Sequence, residues 1–461
     1  MTINRRNFLL TSTGLLGSLG LSSATFPSIV PASVLGAQSP GNFINIGVIG
    51  AGRIARSRNI PGLINNSDLC RIIAVSDLDS NRMNDGKKLI EDSYTKKLGK
   101  PYRGVATYEN YQDLLNNKDI DAVIICTPDH WHAKITIDAV YAGKDVYLEK
   151  PLSLTIEEGR KISDAVNRTG RIFQVGSQYR SIEDYRIGCE MIRNGRIGKV
   201  QRVDVRMPVD PSGGNVTQML VPSNLNYDMW LGSTSEVYYT EDRVHPQKGY
   251  GRPGWLRCEQ FGSGMITGWG AHLFDIVQWG LDTEYTGPVE IFSEAQFPND
   301  GLWNVHGDFS SEMRYANAVV LTSGKESAEA PSGIKFFGSD GWLFIAVGGQ
   351  PVTASDPTAI RLGKTLSASS AKVLTPVKDE ELHLYVSHDH HTNWLESIRS
   401  RLRAASTAEI AHRTCTVCLL QHISMKLKRK LNWDPKLEKF INDEEANAMI
   451  SRPQRKPFNI D

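Results

Sequence analysis

The stretch from residue 44 to residue 176 alternates short apolar runs with segments whose apolar residues recur every three to four positions. Short apolar runs are typical of parallel strands buried on both faces, and the recurring spacing is typical of helices. The predicted strands are 44–50, 71–77, 121–127, 145–149 and 171–176, and the predicted helices are 53–65, 79–98, 130–142 and 156–169. This alternation predicts a doubly wound parallel sheet, a Rossmann-type α/β fold.

The pattern changes after about residue 177. The sequence predicts helices at 182–194 and 269–281 and again from 393 to 431, with β-rich segments at 199–209, 289–297, 317–322 and 334–347. A second domain of the α+β class is therefore expected, with a large, mostly antiparallel open sheet. The predicted division is a leader at 1–37, a dinucleotide-binding domain at 38–176, and a substrate-binding and oligomerisation domain at 177–461.

The first residues carry a candidate export signal. Arg5 and Arg6 stand directly before a weakly apolar run rich in Gly and Ser, and small residues near Ala32 and Ala37 offer cleavage points. This pattern is typical of a twin-arginine signal, although a short N-terminal helix with a chance arginine pair has the same composition. We therefore expect the twin-arginine machinery to export the folded protein, with its cofactor already loaded, to the periplasm or elsewhere outside the cytoplasm.

Composition narrows the classes of function. The chain has 461 residues, with 52 Lys plus Arg against 51 Asp plus Glu. This balance gives no strong overall field, so it argues against a nucleic-acid-binding protein or a polybasic membrane-surface protein. Six cysteines are too few for a disulfide framework in a chain of this length. An ordinary globular protein of two domains is expected.

A glycine turn follows the first predicted strand. Gly50 and Gly52, followed by Arg53 and Ile54, form a G-x-G-x-x-A pattern between a strand and a helix. Glycines let the backbone approach a pyrophosphate, and the helix N-terminus offers free N–H groups. The turn therefore predicts a dinucleotide site.

Asp77 ends the next predicted strand, 27 residues after Gly50. A carboxylate there can bind the ribose hydroxyls and would repel a 2′-phosphate, which favours NAD over NADP. Arg82 is near enough in sequence to weaken that preference.

Two further strand ends carry polar residues. The run Cys-Thr-Pro-Asp-His-Trp-His at 126–132 follows one strand, and Glu149, Lys150 and Pro151 follow another. Ligands of parallel sheets bind at the carboxyl ends of the strands. Both runs are therefore candidate parts of the site.

With these motifs the chain resembles the glucose-fructose oxidoreductase, inositol dehydrogenase and MocA (Gfo/Idh/MocA) family. Gly262-Ser263-Gly264, Gly270-Ala271-His272 and Asp275 extend the resemblance over the mature chain. It implies an oxidoreductase that acts on CH–OH groups with NAD in preference to NADP, and a homo-oligomer such as a dimer or tetramer. The cofactor-binding residues that the motifs and the resemblance predict are Gly50, Gly52, Arg53, Ile54, Asp77, Thr127, Pro128, His132, Glu149 and Lys150.

The resemblance also places two candidate catalytic groups beside the reacting carbon. An ammonium at Lys150 next to an oxidised nicotinamide is expected to have a lowered pKa, so that it can donate a hydrogen bond or carry the proton. His272 suits a general base, and Asp275, three residues later on the predicted helix, is expected to orient it.

One position departs from the family pattern. Many family members have an aspartate four residues before this histidine, and here that residue is Gly268. Either His272 works with Lys150 alone, or Tyr179 supplies the second proton-transfer group. A structural or substrate-stacking role for Tyr179 remains the alternative.

The candidate substrate-binding residues are Gln178, Arg180, Arg252, Trp255 and Asp275. An aromatic face and a guanidinium fork suit a sugar, although a packed loop has the same composition. No metal is expected, because the histidines at 388–391 and the Cys415–Cys418 pair lack zinc-site spacing.

Three functions fit the sequence. The first is an exported NAD-dependent oxidoreductase of a sugar or glycoside, and the second is a redox-neutral NAD-dependent glycosidase. The third is a sugar-binding protein without activity, against which Lys150 and His272 both weigh. Because free NAD is not expected to be replenished outside the cytoplasm, export favours a tightly held cofactor that is regenerated in place.

Overall fold

Six parallel strands form the first sheet in this computed structural model, which describes residues 43–347, 360–362 and 365–460. The strands are β1 (Ile44–Ile49), β2 (Cys70–Ser76), β3 (Ala106–Tyr108), β4 (Ala122–Ile125), β5 (Asp145–Leu148) and β6 (Phe173–Val175). Their order is β3-β2-β1-β4-β5-β6, and every neighbouring pair is parallel. The strand order reverses between β1 and β4, and ligands of open parallel sheets bind in the crevice at such a point.

The predicted Rossmann sheet is confirmed. The five predicted strands lie within two residues of the observed ones. The sequence pattern missed β3 and the helix that follows it, because a three-residue strand and a six-residue helix are too short to show a period.

The helices around this sheet cover both of its faces. They are a π-helical turn (Ala55–Asn59) that continues into α1 (Ile60–Asn65), then α2 (Ser80–Leu98), α3 (Tyr111–Asn116), α4 (Asp129–Tyr141) and α5 (Ile156–Thr169). Asp79 caps α2, accepting hydrogen bonds from the N–H groups of Asn81 and Arg82. The helix predicted at 53–65 is present, but its residues Ala55–Asn59 are π-helical, and Asn59 among them is fully buried. Such turns are frequent at functional sites.

The second sheet has ten strands in the described part of the chain. They are β7 (Val200–Met207), β8 (Pro288–Ala295), β9 (Phe309–Tyr315), β10 (Val320–Lys325), β11 (Gly333–Gly338), β12 (Trp342–Ala346), β13 (Ile360–Leu362), β14 (Leu366–Ala368), β15 (Leu431–Asp434) and β16 (Lys439–Phe440). The order is β13-β14-β12-β11-β7-β10-β9-β8-β15-β16. Of these pairs β7 and β10 are parallel and the others antiparallel, so the predicted mostly antiparallel sheet is confirmed.

Helices pack on this sheet and connect it to the first. They are a 3₁₀ turn (Gln178–Ser181), α6 (Glu183–Arg193), α7 (Tyr227–Leu231), a 3₁₀ turn (Gly254–Arg257), α8 (Met265–Gly268), α9 (Gly270–Leu281), α10 (His390–Ser400), α11 (Ala408–Leu427) and α12 (Glu444–Ala448). No helix within the described ranges has the length and hydropathy needed to cross a membrane.

Three boundaries differ from the predicted ones. The segment 334–347 is a hairpin of two strands, because residues 339–341 turn the chain between β11 and β12. The helical region predicted from 393 to 431 consists of α10, which begins at His390, and α11, which ends at Leu427, with non-helical residues 401–407 between them; Leu431 begins β15 against β8. The strand predicted at 317–322 is shifted, since Asn317 lies in the turn before β10.

Buried side chains join the two halves of the described chain. Trp394 and Leu395 of α10 belong to the same buried cluster as Ile46 of β1 and Ile72 of β2. Helix α9 is buried along nearly its whole length. All six cysteines are buried free thiols. The predicted leader at 1–37 lies outside the described residues, and the limits of the domains stay predictions.

Candidate active site

The glycine turn after β1 forms one wall of a cleft. Gly50 has a φ of +88°, and a methyl group in its place would lie 2.8 Å from the backbone of Cys126, so only glycine fits there. A methyl group at Gly52 would meet no atom of the described residues within 4 Å. The turn is therefore tight on its strand side and open on its other side, as the approach of a pyrophosphate requires.

Asp77 is fixed against this turn. Its Oδ2 accepts a 2.7 Å hydrogen bond from the N–H of Ala51, and its Oδ1 accepts one of 2.9 Å from the N–H of Asp79. Burial raises the pKa of Asp77, and these two backbone hydrogen bonds oppose the rise. Each carboxylate oxygen keeps a lone pair with which it can accept a ribose hydroxyl.

The cleft has a volume of about 840 Å³ and collects most of the predicted site residues. Those that line it are Gly50, Gly52, Arg53, Ile54, Asp77, Thr127, Pro128, Glu149, Lys150, Gln178, Tyr179, Arg252, Trp255 and His272. Three predicted residues do not line it, namely His132, Arg180 and Asp275.

Lys150 follows β5 and points across the cleft. Its Nζ donates a 2.6 Å hydrogen bond to the carbonyl oxygen of Gly268. Burial lowers the pKa of Lys150, the carboxylates of Glu149 and Asp129 oppose the fall, and the charge of Arg252 adds to it. The lysine is thus held in position by a backbone oxygen, with its proton easier to lose than in water.

Gly268 leaves space where many family members carry an aspartate. A methyl group there would have only the Met265 sulfur within 4 Å among the described atoms, at 3.9 Å. Tyr179 therefore does not fill this space. The carbonyl group of Gly268 takes the hydrogen bond of Lys150, but it brings no negative charge.

His272 lies in the first turn of α9 and faces the cleft. Its ring stacks on Tyr179 with the centroids 4.8 Å apart. Its Nδ1 is buried and has no hydrogen-bond partner among the described residues. Burial, with the charge of Lys150 as the second cause, lowers the pKa of His272 well below its usual value. The imidazole is therefore neutral near pH 7, with one ring nitrogen that can accept a hydrogen bond.

Tyr179 is the middle ring of a stack. Its other neighbour is Tyr185, with centroids 4.3 Å apart. Burial raises the pKa of Tyr179, and a hydrogen bond with Tyr185 opposes the rise. The phenol thus stays protonated near pH 7, which favours the stacking role over that of a proton acceptor.

The prediction that Asp275 orients His272 is wrong in this structure. Both oxygens of Asp275 accept hydrogen bonds from Arg180, at 2.7 and 2.8 Å, and Thr414 donates a third. Arg180 also donates to Glu284 at 2.7 Å. The Arg180 and Asp275 side chains are only 3% and 1% exposed, so this pair is part of the packed interior and is unavailable to a substrate.

His132 is also placed differently from its prediction. Its Nδ1 lies 2.7 Å from the carbonyl oxygen of Pro151 and its Nε2 lies 3.0 Å from that of Thr127. The ring ties together the chain that follows β4 and the chain that follows β5. His132 therefore supports this edge of the site from the protein interior and does not line the cleft.

Glu149 lies in a buried network that the sequence did not reveal. Asn59 of the π-helical turn donates a 2.9 Å hydrogen bond to Glu149, and the Asn59 Oδ1 lies 2.9 Å from the Nε2 of His391. The His391 ring stacks on Tyr147. This network joins α10 to Glu149, the residue that precedes Lys150. Asn59 is the hydrogen-bond partner of the His391 Nε2 in it. Within the described ranges, no group of three or more His, Cys, Asp or Glu residues is arranged to hold a metal ion.

Asp129 is a cleft residue that sequence reasoning missed. It begins α4 directly after the end of β4, lines the cleft, and is only 3% exposed. Burial raises the pKa of Asp129 well above its usual value, and the charge of Lys150 opposes the rise. The signal was present, since Asp129 lies within the 126–132 run at the carboxyl edge of the sheet.

Arg252 and Trp255 also line the cleft. Arg252 contacts a carboxylate oxygen of the buried Asp210 at 3.4 Å, and Arg257 contacts the same oxygen at 3.4 Å. Burial lowers the pKa of Arg252. Its Nε is buried and lacks a partner among the described residues, so this guanidinium keeps hydrogen-bonding capacity.

The residues present fit a nicotinamide dinucleotide. The open side of Gly52 leaves room for a pyrophosphate, and Asp77 is set where a ribose is expected. The hydroxyl oxygen of Thr127, at the edge between these groups and Lys150, is buried and has no hydrogen-bond partner within the described chain. A bound ligand would satisfy it.

Two family models match the chain. Residues 44–177 match the NAD-binding Rossmann fold of the Gfo/Idh/MocA oxidoreductase family, and residues 211–345 and 371–460 match the C-terminal alpha/beta domain of that family.

Curated relatives match over part of their length. A glycosyl hydrolase family 109 protein of Shewanella pealeana is 32% identical over 214 residues, which are 43% of this chain and 45% of the relative. An inositol 2-dehydrogenase of Klebsiella pneumoniae is 31% identical over 158 residues, 34% of this chain and 43% of the relative. The chain thus matches somewhat less than half the length of these relatives.

Solved structures share the fold. The WlbA dehydrogenase of Bordetella pertussis, in complex with NADH and UDP-GlcNAcA, superposes with a TM-score of 0.59 at 14% identity. The match covers 85% of this chain and 99% of that one.

Proposed function

Because the chain belongs to the Gfo/Idh/MocA oxidoreductase family, we propose that it interconverts a CH–OH group of a sugar or glycoside and the corresponding carbonyl group, with the hydride passing to or from a tightly held NAD. One observation carries this proposal: the glycine turn, Lys150 and His272 all open into the same cleft. A cofactor held by the turn therefore faces the two groups that can handle a proton.

Bound NAD would supply the hydride acceptor. Gly50, Gly52 and Arg53 would hold its pyrophosphate, and Asp77 would accept hydrogen bonds from a ribose. The carboxylate of Asp77 favours NAD over NADP, because a 2′-phosphate would meet a like charge.

Lys150 and His272 would manage the proton of the reacting hydroxyl. His272 is neutral and has an unpartnered Nδ1, so it can accept a proton, whereas Lys150 is anchored by the Gly268 carbonyl oxygen and can donate a hydrogen bond to the substrate oxygen. The lowered pKa of Lys150 also lets it pass a proton onward. Arg252 and Trp255 line the same cleft and would bind the sugar.

A redox-neutral glycosidase is the second candidate. It is favoured by the relative named as a glycosyl hydrolase family 109 protein, which is the more extensive of the two curated matches given above. Such an enzyme oxidises the sugar, eliminates the aglycone, adds water and reduces the product on one cofactor. The same proton-transfer groups serve both reactions.

The products decide between the two functions. Purified protein is incubated with a panel of α- and β-glycosides and free sugars, and the products are analysed by mass spectrometry. A keto-sugar with one equivalent of reduced cofactor supports the oxidoreductase, and free aglycone without net reduction supports the glycosidase. Binding of a sugar with neither product would contradict both and favour a binding protein.

The cofactor has its own test. Desalted, denatured protein is expected to release NAD, and Asp77→Ala is expected to lose most of it. Release of NADP, or failure of the protein to bind either dinucleotide, would contradict the assignment.

Export and oligomerisation are part of the proposal. We expect replacement of Arg5 and Arg6 by lysine to keep a fused reporter in the cytoplasm, and unchanged export would contradict the twin-arginine route. A dimer or tetramer is expected, and light scattering of the purified protein measures it.

A further inference from the structure

A six-residue segment, 245–250, is held against the first turns of α2 beside Asp77, and we call it the strap. It contains no helix or strand. His245 of the strap lines the same cleft as Asp77 and Arg82. The strap thus borders the corner of the cleft where the ribose-binding carboxylate lies.

Hydrogen bonds hold the strap at three points. The His245 Nε2 lies 3.0 Å from Asp79 Oδ2. Arg82 donates from Nη2 to the carbonyl oxygens of Pro246, at 2.7 Å, and Gly249, at 3.3 Å. The N–H of Asp79 also donates a hydrogen bond to Asp77. Two hydrogen bonds through Asp79 therefore link His245 of the strap to the ribose-binding carboxylate.

Tyr250, the last residue of the strap, contacts α2. Its hydroxyl donates a 2.8 Å hydrogen bond to Asp85 of α2. The guanidinium carbons of Arg56 and Arg82 lie 4.3 and 4.7 Å from the centre of its ring. Cation–ring contacts of this kind strengthen as water is removed.

We propose that the strap closes the adenosine end of the cleft over the bound dinucleotide, and that it enforces the preference for NAD by holding Arg82 away from a 2′-phosphate. This inference rests on the proposed function. It assigns to residues 245–250 the retention of the cofactor, and to the locked Arg82 the choice between the two dinucleotides.

Retention follows from the contacts. A dinucleotide bound with its ribose at Asp77 lies beside the strap, and the strap is tied to the helix that begins next to that aspartate. Release at this end therefore requires the His245, Arg82 and Tyr250 contacts to open together. Opening of these contacts is a barrier on the release path, and by microscopic reversibility it slows entry along the same path by the same factor.

Selectivity follows from the state of Arg82. An arginine near the ribose is the usual partner of a 2′-phosphate. Here Arg82 is only 8% exposed, and its Nη2 is occupied by two backbone oxygens of the strap. Arg56, which contacts the same tyrosine ring, does not line the cleft. Neither of the two guanidinium groups that contact Tyr250 is therefore in position to balance the charge of a 2′-phosphate beside Asp77.

The rate of cofactor release tests the strap directly. Full-length wild type, Tyr250→Ala and His245→Ala are loaded with NADH, and its fluorescence is followed after mixing with excess NAD. Tyr250→Ala is expected to release NADH about tenfold faster, because two cation–ring contacts and one hydrogen bond are lost. Tyr250→Phe keeps the ring and is expected to stay within about threefold of wild type. Tyr285→Ala, at an exposed tyrosine outside the cleft, is the matched control and is expected to release at the wild-type rate.

Binding of NADP supplies the second readout. Tyr250→Ala is expected to bind NADP relatively better than wild type, because Arg82 loses its aromatic contact and can turn toward the ribose. If both Tyr250→Ala and His245→Ala bind NAD but release NADH at the wild-type rate and discriminate against NADP as wild type does, the role of the strap is overturned. The proposed function would stand in that case. A wild type that binds neither dinucleotide would overturn the proposed function, and the role of the strap with it.

Discussion

The ammonium of Lys150 donates a 2.6 Å hydrogen bond to the backbone oxygen of Gly268, the residue that stands where many family members carry an aspartate. A peptide oxygen can hold the lysine in position, but it carries no charge with which to stabilise the ammonium form. Burial lowers the pKa of Lys150, the carboxylates of Glu149 and Asp129 oppose the fall, and position 268 adds no further negative charge to them.

Gly268→Asp is expected to raise the pKa of Lys150 by supplying that charge. The new side chain has room, since among the described residues the Met265 sulfur, at 3.9 Å, is the one atom outside the local helix backbone within 4 Å of the added Cβ. If the neutral amine accepts the proton, the rising limb of the profile of kcat/KM against pH moves to higher pH, because the amine form then appears later. Gly268→Asn has nearly the same shape without the charge and is the control.

The Gly268→Asn control separates the effect of the added charge from the effect of the added side-chain volume. We expect Gly268→Asn to leave the position of the limb unchanged. An increase in KM of similar size in both variants, with the limb unmoved, would instead show that the substrate uses the space above Gly268, and would contradict the electrostatic explanation.

Lys150→Ala and His272→Ala are each expected to keep cofactor bound and to lower kcat by about 10²- to 10⁴-fold. The double variant Lys150→Ala/His272→Ala should lower kcat by less than the product of the two single effects, because both groups act on the same proton transfer. Single-turnover kinetics with NAD-loaded protein measure all three variants. Full activity of His272→Ala across the pH range would remove the histidine from the mechanism.

Asp129→Asn is expected to make the protein more stable at neutral pH and less active. Burial raises the pKa of this carboxyl well above that of the unfolded chain, so the folded state binds the proton more tightly and loses stability as the pH rises above about 4. The amide has no charge to bury, so its advantage is about 1.4 kcal/mol for each pKa unit of the rise.

Urea unfolding of wild type and Asp129→Asn at pH 4 and pH 7 checks this sign. The two proteins, prepared with the same cofactor content, should converge at pH 4 and separate at pH 7. Equal free energies of unfolding at both pH values would mean that the carboxylate is well solvated in the cleft.

The sequence predicted those parts of the site that are coded locally. The glycine turn, Asp77 and Lys150 each directly follow a strand, so strand periodicity and chain order were enough to bring them to one edge. The contact between Asn59 and His391 joins residues 332 positions apart, and no local pattern encodes it.

The error at Asp275 has a different origin. Spacing of i and i+3 on a helix makes two side chains neighbours, but it does not say whether another element offers a better partner. Arg180 comes from a 3₁₀ turn 95 residues earlier and makes two short hydrogen bonds to the carboxylate, which a neutral histidine cannot match.

Asp275→Asn is expected to lower the free energy of unfolding by about 3–5 kcal/mol, because it leaves the buried guanidinium of Arg180 with Glu284 as its remaining carboxylate partner. Asp92→Asn, in the exposed pair with Lys88, is the control and should leave stability unchanged within error. Since Asp275 does not line the cleft, NADH bound to the folded fraction of Asp275→Asn at low temperature should show wild-type affinity. Urea unfolding and fluorescence titration measure the two quantities separately. A large loss of substrate affinity at wild-type stability would return Asp275 to the substrate site.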